Sequence, residues 1–188
     1  MTQPTRALVI AGGRDSPEAA ARVLFSLGHP LPCPVLVALG RWSDELPGLL
    51  PSEMLAADTL QRARGGEAVR AGCLYLAPSD RAMGIDVEGW LTIDPLGEGA
   101  IDALFASAAR HFRARLIAVL LSGDGTDGAR GLTEVKHAGG IRLVQSPSDA
   151  GAPASLCHAI VADEPNVVML VARLGPAVRA LCAPSPAA

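Results

Sequence analysis

Residues 116–145 read LIAVLLSGDGTDGARGLTEVKHAGGIRLVQ, and their pattern decides the fold. LIAVLLS is a continuous apolar run of the kind found in strands buried on both faces. TDGARGLTEVKHAGG reads as a helix with a glycine stop, and IRLVQS as a second buried strand. Working outward, the same alternation repeats. RALVIA (6–11) is a strand, and SPEAAARVLFSLG (16–28) a helix with Ser16 as cap, Pro17 in the first turn and Gly28 as terminator. PVLVAL (34–39) and CLYLAP (73–78) are strands, and the proline-broken stretch between them, 41–66, accommodates at most short helices. MGIDV (83–87) and WLTID (90–94) flank Glu88-Gly89 as an antiparallel hairpin. AIDALFASAARHF (100–112) is a helix, APASLCHAIVAD (152–163) another, NVVMLV (166–171) a strand, and GPAVRALC (175–182) a last helix. Strands alternating with helices define an α/β fold: a doubly wound, mostly parallel sheet with an inserted antiparallel hairpin.

The bulk composition narrows the classes. At 188 residues the chain is read as one domain, residues 1–182, with a disordered tail at 183–188. Hydrophobic residues at 49% suffice for a full core, and only 3% aromatics means that Ala, Val, Leu and Ile build it. A formal charge of −3, with neither a basic run nor an aromatic series, argues against nucleic acid as a partner. Cys33, Cys73, Cys157 and Cys182 lie far apart without a C-x-x-C pair, which indicates neither a zinc site nor a disulfide framework and fits reduced thiols in a cytoplasm. No apolar run approaches the roughly 20 residues of a membrane span, and the start does not read as a signal peptide.

In a doubly wound sheet, ligands sit beyond the carboxyl ends of the strands. Loops 12–16, 40–43 and 122–128 meet there, joined by the helix start at 150–158. His158 points to that edge, whereas His29, His111 and His137 fall at the opposite one and read as surface or packing residues. Gly123, Gly125 and Gly128 spell G-x-G-x-x-G, the dinucleotide fingerprint. That reading fails on two counts. The next strand ends in Gln145 and Ser146 rather than in an acid for the ribose. Asp124 would face a pyrophosphate, at a cost of about 4 kcal/mol at 4 Å and an effective dielectric of 20. No cofactor is expected. DGTDG also lacks the D-x-D-x-D-G spacing of a calcium loop, so no metal is expected.

The same loop resembles the T-G-M-G-x-D-G segment of the chemotaxis protein-glutamate methylesterases, the CheB type. Other segments follow in collinear order. LVIAGGRDSPEA resembles I-G-A-S-T-G-G-P-E-A, and PCPVLVALGRW resembles P-V-L-V-V-Q-H-M. VRAGCLYLAPSDRAM resembles L-x-P-G-x-x-Y-L-A-P-x-x-x-H-L, and AIDALFASAARHF resembles V-D-x-L-F-x-S-A-A. The resemblance implies a Ser-His-Asp esterase acting on glutamyl methyl esters of chemoreceptor helices. In such a site an imidazole takes the hydroxyl's proton, an aspartate holds the imidazole, and N–H groups stabilise the oxyanion. It also implies an N-terminal receiver domain, which this chain is read as lacking because it begins five residues before its first strand.

Matched position by position, the resemblance puts the family's serine at Gly13 and its histidine at Gly40, and retains only the aspartate, as Asp127. The oxyanion-site methionine falls on Asp124, a further histidine on Ala82, and the S-M-P stretch on Ser155, Leu156 and Cys157. Losing a triad nucleophile costs about 10⁶ in turnover. The expectation is therefore a degenerate domain that binds chemoreceptor helices or other chemosensory proteins. The alternatives are an active methylesterase with a rearranged site and, behind it, a dinucleotide enzyme. Ser16 is read as a helix cap, and Cys157 with His158 as an awkward dyad, because adjacent helical residues diverge by about 100°. The former cleft gains Arg14, Asp15, Arg41, Trp42 and Asp124, so Arg14 or Arg41 is expected to pair with Asp124 or Asp127 and close it.

Overall fold

The computed structural model describes residues 6–56 and 58–183. Seven parallel strands form one sheet: β1 (Ala7–Ala11), β2 (Val35–Ala38), β3 (Leu60–Arg62), β4 (Leu74–Leu76), β7 (Leu116–Leu120), β8 (Ile141–Gln145) and β9 (Val167–Met169). Their order is β3-β4-β2-β1-β7-β8-β9. Strands β5 (Arg81–Ile85) and β6 (Leu91–Pro95) pair separately as the antiparallel hairpin. The helices are α1 (Pro17–Leu27), α2 (Ala100–Phe112), α3 (Ala129–His137), α4 (Ala154–Asp163) and α5 (Val171–Cys182).

The continuous apolar runs are explained by burial on two sides. Leu8, Ile10, Val35, Val37, Ile117 and Val119 enter the layer beneath α1 and α5. Val9, Ala11, Leu36, Ala118 and Leu120 enter the layer covered by α2, α3 and α4. Alternate side chains leave a strand on opposite faces, so a strand with helices on both sides must be apolar at every position. Because all seven strands are parallel, their carboxyl ends share one edge. β1 pairs with β2 on one side, where the chain goes next, and with β7 on the other, where it returns after the hairpin and α2. That reversal of strand order opens a crevice at the ends of β1, β2 and β7.

The structure departs from the sequence reading in four places. Stretch 41–66 holds 3₁₀ segments at Gly40–Leu49 and Ser52–Met54, but also the strand β3, whose half-exposed residues carry no apolar run. The hairpin strands lie at 81–85 and 91–95, with Ile85 opposite Leu91; Asp86 organises the turn by accepting from the N–H groups of Glu88 and Trp90. β9 is only three residues long, and α5 starts at Val171 rather than at Gly175, running through Pro176. Ser16 precedes α1 as expected, but its hydroxyl does not cap; it turns back to Gly13. The expected tail beyond residue 183 lies outside the described residues.

Candidate functional site

The crevice is built from the three loops that follow β1, β2 and β7. After β1, Gly12 N–H donates to Ala38 O (3.1 Å) and Gly13 N–H to Ser122 O (2.8 Å), tying the loop to both neighbours. Asp15 adopts a left-handed conformation at φ 60°, and its carboxylate turns away from the crevice to lie over Gly151. Ser16 is fully buried, and its hydroxyl donates to Gly13 O at 2.5 Å.

Gly13 and Gly123 pass backbone against backbone. A Cβ on Gly13 would stand 3.3 Å from Gly123 Cα, and a Cβ on Gly123 would stand 3.0 Å from Ser155 Oγ and 3.3 Å from Gly13 N. Trp42, from the loop after β2, brings Cζ3 to 3.9 Å from the same Gly13 position. Arg41 lies with its guanidinium carbon 5.8 Å from the Trp42 ring centroid. Gly40 has φ 55°, and a Cβ there would meet nothing within 4 Å.

The loop after β7 is held from behind. Ser122 N–H donates to Gln145 Oε1, and the Ser122 hydroxyl both donates to Ala152 O and accepts from Ala152 N–H. Sequence reasoning placed Ser122 and Ser155 near the site but did not connect Ser122 with Gln145 and Ala152, because nothing in their spacing marks the partnership. Ser155 Oγ is buried without a hydrogen-bond partner.

The two loop aspartates do different things. Asp124 pairs with Arg14 across the crevice at 2.9 Å, Nε to Oδ2, with both side chains about 60% exposed (61% and 60%). Of the pairings expected from the sequence, the structure selects this one, but the pair does not close the site: a cleft remains, and Arg14 is not among the residues that line it. Asp127 faces the start of α2. Its Oδ2 accepts from Ile101 N–H (3.0 Å) and its Oδ1 from Asp102 N–H (2.9 Å). Gly99, in the capping position, has no side chain to do this. The favour is returned: Asp102 accepts from Gly128 N–H, Gly131 N–H and Arg130 Nε at the start of α3. Two helices thus cap each other with carboxylates. Their approach needs Gly131, where a Cβ would come within 2.8 Å of Asp102 Cα and O and of Phe105 Cβ.

The resulting cleft measures about 200 Å³. Its floor is Gly12, Gly13 and Gly40; Trp42, Met83 and Ile101 form its walls, with Arg41, Arg81, Asp124 and Asp127 at the polar positions. Among the described residues that line it there is no Ser, Cys or His. His158 lies instead in an adjoining groove of about 620 Å³, with Asp102, Asp124, Asp127 and Arg130. Cys157, beside it on α4, is exposed. No group of three or more His, Cys, Asp or Glu among the described residues is placed to hold a metal ion, and no described helix is long and apolar enough to cross a membrane.

A doubly wound parallel sheet with an added antiparallel hairpin and a crevice where β1, β2 and β7 meet defines an α/β domain whose site lies at a topological switch point. The model of the CheB methylesterase family matches residues 8–177, and the chain belongs to that family. A protein-glutamate methylesterase/protein-glutamine glutaminase of Symbiobacterium thermophilum is 32% identical over 155 residues, covering 77% of this chain and 42% of the relative. The protein-glutamate methylesterase FrzG of Myxococcus xanthus is 29% identical over 183 residues, covering 93% of this chain and 54% of the relative. The chain therefore spans about half or less of the length of these relatives. The CheB methylesterase catalytic domain of Thermotoga maritima has the same fold, with a TM-score of 0.82 at 22% identity over 95% of this chain and all of that one.

Proposed function

We propose that this chain is a catalytically degenerate methylesterase-type domain that serves a bacterial chemosensory pathway in the cytoplasm by binding protein partners. One observation carries the reading: the described residues lining the cleft offer neither a hydroxyl or thiol nucleophile nor an imidazole. The resemblance assigns those roles to the positions of Gly13 and Gly40. Glycine can neither attack a carbonyl nor carry a proton, and a serine esterase without its nucleophile loses about 10⁶ in turnover. Three further features support it. Trp42 packs beside Gly13, Arg14 bridges the crevice to Asp124, and both carboxylate oxygens of Asp127 are engaged by α2. A carboxylate at position 124 would oppose the negative charge that develops on an acyl-transfer oxyanion.

A rearranged active site draws no support from the geometry. Ser16 is buried and tied to Gly13 O, and Cys157 and His158 are adjacent on one helix. The partners proposed are chemoreceptor cytoplasmic helices or other chemosensory proteins, and the reading needs no cofactor. The test is to incubate the purified protein with methylated receptor fragments and measure both methanol release and co-sedimentation. Retention of the fragments with methanol release at the buffer rate is the expected result. Methanol release that disappears in Ser16→Ala or Cys157→Ala overturns it.

A further inference from the structure

We propose that Cys33 and Cys182 form a redox-controlled disulfide that clamps the end of α5 to the amino edge of the sheet. The two thiols stand 149 positions apart in sequence, yet their sulfur atoms are 3.5 Å apart. Cys33 is fully buried in the segment leading into β2, and Cys182 is the half-buried last residue of α5. Bond formation requires the sulfurs to close to about 2.05 Å. The movement falls on the last turn of a helix, where the backbone gives most readily. The other cysteines are placed differently. Cys73 is buried and occupied by Gln61 and Asp58 O, and Cys157 is exposed on α4.

The surroundings divide the labour between the two thiols. The sulfur contact with Cys33 and the charge of Arg6 both favour the Cys182 thiolate and lower its pKa, despite partial burial. The same contact, with burial, pushes Cys33 far up. Cys182 is the attacking sulfur: it is half-buried and within reach of an oxidant, whereas Cys33 is fully buried, and the thiolate is the nucleophile. With hydrogen peroxide as oxidant, the Cys182 thiolate attacks one peroxide oxygen, the O–O bond breaks, and the sulfur becomes a sulfenic acid while hydroxide leaves and takes up a proton to give water. Cys33 then attacks that sulfur; the S–O bond breaks, the Cys33 proton leaves with the oxygen as a second water, and the S–S bond forms. The two thiols supply the two electrons and the peroxide is reduced to two waters.

The clamp lies at the edge of the sheet away from the cleft, so its effect is on the endurance of the fold. A cross-link closing so long a loop restricts the unfolded chain strongly, and a rise in Tm of about 10 °C is expected. The experiment uses the Cys157→Ser protein, which removes the exposed thiol, treated with hydrogen peroxide. Intact mass should fall by two hydrogens, peptide mapping should join residues 33 and 182, and Tm should rise and return on reduction. Adding Cys182→Ser should abolish all three. Adding Cys33→Ser instead should leave Cys182 as a sulfenic acid that a dimedone probe captures. A link to Cys73, an unchanged mass, or a joined pair with unchanged Tm overturns the proposal.

Discussion

Removal of the Asp127 carboxylate tests what that residue does in this chain. If it caps α2, Asp127→Ala strips two adjacent N–H groups, of Ile101 and Asp102, of acceptors at 3.0 and 2.9 Å. A hydrogen bond to a charged group contributes roughly 1.5–3 kcal/mol, and loss of a helix cap costs roughly 0.5–2 kcal/mol. Both N–H groups belong to one first turn, which water reaches in part once the carboxylate is gone. The two bonds therefore do not add in full, and the loss works out at about 2–3 kcal/mol. In a domain of this length each kcal/mol moves Tm by about 2–4 °C, so a drop of about 4–12 °C is expected. Asp127→Asn keeps one acceptor but turns an amide N–H₂ toward a backbone donor, and should lose about half as much. Asp124→Ala is the control, because it removes a carboxylate from the same loop whose partner is an exposed arginine. Thermal melts followed by circular dichroism, with urea unfolding as a second measure, report all three. An Asp127→Ala melt within a degree of the Asp124→Ala melt would refute the capping role.

Other positions give sharper or weaker responses. Gly131→Ala forces a methyl into backbone and side chain of α2 at 2.8 Å, and overpacking of this kind costs roughly 1–3 kcal/mol, read as a lower urea midpoint. Arg142 and Asp163 form a buried pair at 2.6 Å, with Thr133 donating to the other Asp163 oxygen. Asp163→Ala leaves the guanidinium buried without its counter-charge and should cost about 3–5 kcal/mol, seen as a large drop in Tm or as loss of soluble protein. Arg14→Ala breaks only an exposed pair, so Tm should move by no more than about 2–4 °C, corresponding to at most about 1 kcal/mol.

The scaffold was legible where burial imposes a pattern. Strands covered on both faces must be apolar throughout, so β1, β2, β7 and β8 stood out as runs. β3 did not, because an edge strand of three half-exposed residues, Leu60, Gln61 and Arg62, needs no such run. The start of α5 was hidden by Pro176, which reads as the opening of a helix but here lies inside one. At the site, loop membership followed from topology alone. Long-range polar partnerships did not: the capping exchange between Asp102 and Asp127 spans 25 positions, and no local rule connects them. The pairing of Arg14 with Asp124 was one of several ionic options that charge alone could not rank.

The glycines and the aspartate of this cleft differ in what each position contributes to folding. A side chain contributes to folding through what it touches. At position 40 a Cβ would touch nothing, and the backbone already adopts a left-handed φ of 55°, so glycine there removes a left-handed strain of about 1 kcal/mol and forfeits no packing. At position 13 a Cβ would press on Gly123 Cα at 3.3 Å, so glycine relieves a close approach. Position 127 is the opposite case. Its carboxylate anchors α2, whose partner carboxylate Asp102 anchors α3, and both helices cover the same face of the sheet. Replacing it disturbs the fold whether or not an imidazole ever stood beside it. Of the three roles that the resemblance assigns, then, only the one fused to a structural duty carries a side chain here. The presence of Asp127 is thus accounted for by folding, and it adds no weight to a hydrolytic reading of the cleft.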